Sequence, residues 1–95
     1  MTIADDQQAR NYVANLIGLR ASVLHVEKCA DSDAFYVWEP ARGGTQVIVG
    51  RDGSILTRSS AIDPEVVKHE FAAGERTNLA YFDDLREYNL RTRTN

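Results

Sequence analysis

Ala34-Phe35-Tyr36-Val37-Trp38-Glu39-Pro40-Ala41-Arg42-Gly43-Gly44-Thr45-Gln46-Val47-Ile48-Val49-Gly50-Arg51-Asp52-Gly53-Ser54-Ile55-Leu56-Thr57-Arg58 is the stretch that decides the fold. It divides into three runs rich in Val, Ile, Tyr and Trp: Ala34–Glu39, Thr45–Gly50 and Ser54–Arg58. Between them lie Pro40-Ala41-Arg42-Gly43-Gly44 and Arg51-Asp52-Gly53, composed of residues that favour tight turns. Turns that close together predict an antiparallel meander. The runs are apolar at successive positions, so both faces of the sheet need cover.

Upstream, Ala21–Lys28 reads as a further strand, with Leu24 and Val26 on one side and Val23, His25 and Glu27 on the other. Before it, Ala9, Val13, Leu16 and Ile17 fall on one stripe of a helical period, predicting a helix over Ala4–Leu19. Thr2 reads as its cap, with Asp5 completing a capping box, and Gly18 as its left-handed stop. Downstream, Asp63-Pro64-Glu65 opens a helix carrying Val67 and Phe71 and stopped by Gly74. A last helix is expected over Asn78–Leu90, with Leu79, Phe82 and Leu85 on its stripe, Tyr81 and Tyr88 flanking it, and Thr77 or Asn78 as cap. The expected class is α+β: a four-stranded antiparallel meander in the order 1-2-3-4, one N-terminal helix and two C-terminal helices. Residues 1–90 form a single domain in this reading, and 91–95 a disordered tail.

The chain of 95 residues carries 14 acidic and 11 basic side chains, a formal charge of −3. That balance argues against a nucleic-acid partner, which needs a basic stripe to neutralise phosphates. Cys29 is the single cysteine, so no intramolecular disulfide can form, and a reducing compartment is the simpler reading. The acidic start, Thr2-Ile3-Ala4-Asp5-Asp6, lacks the basic and apolar regions of a signal peptide. No run is long enough to span a bilayer, so the expectation is a cytoplasmic protein with no membrane contact.

Little in the chain points to catalysis. His25 and Cys29 lie four residues apart and His69 sits in the middle of a helix, without the ligand spacing of a metal site. No nucleophile signature surrounds Cys29, which reads as a buried, inert thiol. Asp5-Asp6 and Asp83-Asp84 are helix neighbours that diverge by about 100°, which suits a helix dipole and not a converging acid–base pair. The Arg42-Gly43-Gly44 and Gly50-Arg51-Asp52-Gly53 stretches do not open a helix as a phosphate loop must. No cofactor and no metal are expected.

What remains is a surface. If helices cover the Phe35/Val37 side, the opposite face carries Tyr36 and Trp38 with Ile48, or else Val47 and Val49, from the next strand, where a solvated face would be polar. Such aromatics anchor interfaces, and this face, rimmed by Arg42 and Arg51, is the candidate partner-binding site. The competing expectation is that helices cover both faces, or that the sheet curls around its own core. The function expected is a non-catalytic protein-binding module, akin in size and charge to immunity proteins and secretion chaperones, acting on another protein or as a homodimer. The alternative is a small enzyme or ligand-binding domain with a cleft between sheet and helices, using His25 or His69. The polar loop Glu75-Arg76-Thr77-Asn78 is a candidate recognition loop, and Ser54–Arg58 a candidate edge for strand addition.

Overall fold

A computed structural model describes residues 2–29, 33–40 and 44–93. Helix α1 (Asp6–Ile17) leads through a 3-10 turn (Ala21–Val23) into β1 (His25–Lys28), β2 (Ala34–Trp38), β3 (Gln46–Gly50) and β4 (Ile55–Arg58), followed by α2 (Pro64–Ala72) and α3 (Tyr81–Arg93). The four strands form one antiparallel sheet in the order β1-β2-β3-β4, the expected α+β meander.

Helix α1 begins later than its apolar stripe suggested. The cap is Asp5, not Thr2: its carboxylate accepts from the Gln8 N–H at 2.8 Å, while the Gln8 side chain accepts from the Ala4 N–H at 2.7 Å. Gly18 ends the helix at φ 73°, as expected, and its N–H donates to the Ala14 carbonyl. Strand β1 is half as long as expected. Along a straight strand Ala21 and Leu24 would point to opposite sides, whereas the turn over Ala21–Val23 lets both pack into the α1 side of the core.

Helices cover both faces, each lined by its own apolar cluster. Phe35, Val37, Val47, Val49 and Ile55 pack against Ala9, Val13 and Ile17 of α1, with Phe82 of α3 completing the cluster. Ala34, Tyr36, Ile48 and Leu56 meet Val67 and Phe71 of α2 on the other side. The α2 start is as expected, with Asp63 accepting from the Glu65 N–H at 2.8 Å and Pro64 in the first turn. Helix α3 docks on α1, where buried Asn89 donates to the Ile17 carbonyl at 2.6 Å and ties it to the end of α1.

Two expectations about α3 need correction. Asn78 caps a turn that precedes the helix, accepting from the Ala80 N–H through its side chain and from the Tyr81 N–H through its carbonyl. Leu79 therefore lies before the helix and half exposed instead of joining Phe82 in the core. At the other end α3 continues to Arg93, past the expected stop at Leu90, so the first part of the expected tail is helical. Residues 94–95 lie outside the described residues.

Thr77 lies along the outer edge of β4. Its N–H donates to the Ile55 carbonyl at 2.7 Å, and its hydroxyl accepts from the Thr57 N–H at 3.0 Å. The edge expected to be open for strand addition is thus filled by the chain itself.

Candidate functional site

Helix α2 packs chiefly on β3 and β4, so its shadow falls on half of its sheet face. Ile48 and Leu56 lie directly beneath it and are fully buried; Tyr36, one strand further out, is 6% exposed. Beyond Tyr36 the cover thins. Trp38 is half-buried, and His25 and Glu27 of β1 are exposed. Register places His25 opposite Trp38 and Glu27 opposite Tyr36, so these four side chains share the α2 face along its β1–β2 margin.

The margin is built as a stack. The Tyr36 and Trp38 rings lie 5.2 Å apart at 28°, and the His25 imidazole lies 5.3 Å from Trp38 at 35°. Below them, the Tyr36 hydroxyl donates to Gln46 Oε1 at 2.8 Å, and the Gln46 amide donates to the Ser59 and Ile62 carbonyls at 2.7 and 2.9 Å. This buried network pins the ring and the β4–α2 connection together, because an amide withdrawn from water must find all its partners. Lys68 of α2 closes the inner side. Its ammonium donates to Glu27 at 3.0 Å, reaches Glu65 at 3.4 Å and lies 5.1 Å from the Tyr36 ring centre.

Two groups of the margin are held away from their ordinary pKa values. Burial alone would lower the Lys68 pKa, but the Glu27 hydrogen bond and charge, with Glu65, outweigh it and hold the group above its ordinary value. Lys68 stays a cation. Burial pushes the Tyr36 phenol up; the Lys68 charge opposes this, while Glu27 and Asp63 add to it, so the hydroxyl remains a donor. Among the described residues, no cluster of three or more His, Cys, Asp or Glu side chains could hold a metal ion. Cys29 is buried under α2 while His25 is exposed, and His69 projects from α2 into solvent, so these groups are not assembled around a common point. Asp5 is spent on capping, and Asp83 pairs with Arg86 at 3.0 Å.

The residues singled out from sequence therefore separate. Tyr36 and Trp38 come together, with Trp38 on the accessible side. Ile48 is core and offers no surface to a partner. Arg51 is exposed in the β3–β4 turn, whose backbone carbonyl receives the Ile3 N–H at 2.8 Å, at the opposite end of the sheet from Trp38. Arg42 lies outside the described residues. The participants that sequence reading missed are Glu27 and Lys68, which are 41 positions apart and meet only through the α2 packing.

Two shallow clefts flank Thr77 on the far margin. One, of about 470 Å³, is lined by Tyr12, Ile55, Arg76 and Leu79; the other, of about 670 Å³, by Thr45, Thr57, Ser59, Tyr81 and Leu85. Their charges are already engaged. Arg58 pairs with Glu70 at 3.2 Å and Glu75 at 3.6 Å. Arg76 bonds the Phe71 carbonyl and Ser54 while its guanidinium lies 3.6 Å above the Phe71 ring. The polar loop read as a recognition element thus fastens α2 to the sheet. No protein-family model matches this chain, no curated protein is significantly similar to it, and no solved structure matches it.

Proposed function

We propose that this chain is a non-catalytic protein-binding module whose contact surface is the β1–β2 margin, centred on Trp38 and His25. The observation that supports the reading is the uneven cover of the α2 face: the helix buries Ile48 and Leu56 but leaves the His25–Trp38 stack at its border, held rigid from beneath by Tyr36 and Gln46. A rigid aromatic anchor loses little conformational entropy when a partner covers it, which is why such residues dominate interface energetics. Glu27, exposed beside Lys68, supplies a polar rim. Affinity capture from the source cell, comparing wild type with Trp38→Ser and with both shown to be folded, is the test. The account expects a partner held by wild type and lost by the variant; equal retention by both would remove the margin from the mechanism.

A second reading, a small-ligand site, is favoured by the 670 Å³ cleft with its hydroxyl-bearing wall of Thr45, Thr57 and Ser59 against Tyr81 and Leu85. It differs in what breaks it. Leu85→Trp, which fills the cleft, would abolish function under this reading and leave it intact under the first.

A further inference from the structure

The two edges of the sheet are treated differently by the chain. On β4 the outward groups of Ile55 and Thr57 bond Thr77, and the Thr57 carbonyl receives the Arg58 guanidinium at 3.1 Å. On β1 the Cys29 N–H donates to the Ala34 carbonyl, which fixes the alternation: His25 and Glu27 exchange backbone bonds with β2, and Val26 and Lys28 turn theirs outward. No partner for these outward groups lies among the described residues. Leu24, in extended conformation at φ −103° and ψ 142°, continues the edge, its N–H held by Ala21 and its carbonyl pointing outward with those of Val26 and Lys28.

We infer that the occupant of this edge is a second copy of the chain, paired antiparallel through β1 about a two-fold axis at Val26. The inference rests on the protein-binding reading of the margin and names its partner. Register selects this pairing. Pairing Val26 with Glu27 of the second copy fails, because the Glu27 backbone is already bonded to β2 and the slip would join opposite faces of the two sheets. Pairing centred on Glu27 sets two carboxylates directly opposite each other, which is unfavourable, and pairing centred on His25 sets Lys28 against Ser22, inside the turn over Ala21–Val23 where no strand continues. Centred on Val26, the outward N–H and C=O groups of the two valines bond reciprocally, and each Lys28 N–H meets the Leu24 carbonyl of the second copy. The same register sets His25 opposite Glu27 of the second copy, and Glu27 opposite its His25. These are close, non-hydrogen-bonded positions at which an imidazole N–H can donate to a carboxylate. Lys68 occupies one Glu27 oxygen, Oε1, leaving the other for this contact.

The pairing also joins the two exposed margins. His25, Trp38 and Glu27 of both copies line one continuous floor between the two α2 helices, so the site is complete only in the dimer. A four-residue edge bearing His25, Glu27 and Lys28 resists promiscuous pairing, while the one complementary register remains available.

Sedimentation equilibrium over micromolar to millimolar protein tests this. Wild type should approach twice the 10.6 kDa chain mass, and Val26→Pro, which deletes the central N–H without breaking a bond to β2, should stay at the chain mass. His25→Glu should weaken association about tenfold, and adding Glu27→His in the same chain should restore it. Wild type at the chain mass throughout, or Val26→Pro associating as well as wild type, overturns the inference. Should Val26→Pro fail to fold, amide exchange of wild type decides: Val26 and Lys28 must slow with rising concentration, and unchanged exchange overturns it. Capture of a different protein through Trp38 by a monomeric wild type would defeat this inference and leave the binding-module reading standing.

Discussion

Gly18 shows how one residue serves two needs. Its φ of 73° ends α1, and a Cβ there would come within 2.7 Å of the Arg86 carbonyl oxygen on α3. Gly18→Ala should therefore cost about 2 kcal/mol in chemical denaturation, combining left-handed strain with a contact to backbone that cannot swing away. The helix stop was legible in sequence, since a glycine after an apolar stripe is a local signal; the approach of α3 was not. Gln46 is a similar case. No local signal marks this residue, yet it is the hub joining Tyr36, Ser59 and Ile62. Gln46→Leu leaves the buried Tyr36 hydroxyl and two part-buried carbonyls without their partner and should cost about 2 kcal/mol by the same measurement. Tyr36 adds a pH dependence. Its folded pKa lies above the ordinary 10.0, so the unfolded chain releases this proton first as pH rises. The stability linked to it is whole below pH 10.0 and falls as pH climbs through the folded value. Denaturation midpoints measured across this range should decline for wild type and decline less for Tyr36→Phe.

At the scale of elements, the strands and helices with punctuated ends were readable: Asp63-Pro64 opens α2, and Asp52-Gly53 turns β3 into β4 with Gly53 at φ 85°. Ends set by tertiary packing were not. Nothing local distinguishes a strand over 21–24 from the turn that lets Ala21 and Leu24 share one core, and nothing local says that Asn78 caps a turn before α3 begins. The same holds for Thr77, whose protection of β4 depends on residues 20 and more positions away. Thr77→Val removes the acceptor for the Thr57 N–H while keeping shape. It should cost about 1 kcal/mol and speed exchange of the Thr57 amide, measured by hydrogen–deuterium exchange. Thr77→Ser, retaining the hydroxyl, should preserve that amide's protection.

At the scale of the whole molecule, a meander with helices on both faces leaves few places for a partner. One edge is filled, one face is fully covered near α1, and α2 shades half of the other. Sequence reading reached the fold and the placing of Tyr36 and Trp38 on one face of a strand, where their rings stack. It could not weigh Trp38 against Ile48, since both lie on the α2 face and only the position of α2 separates surface from core. Nor could it see the Glu27–Lys68 rim, a contact across the sheet-to-helix connection. No helix is long and apolar enough to cross a membrane, judged over the described residues. The central claim is that the β1–β2 margin is where this molecule meets its partner. Amide hydrogen exchange on the associated form, whether the captured complex or the protein at high concentration, tests it most directly. The account predicts slowed exchange at Val26 and Lys28, the two β1 amides that face away from β2, with residues 77–85 unchanged. Protection gained at Thr77, Tyr81 and Leu85 instead, with β1 exchanging as before, would contradict it and move the site to the clefts beside β4.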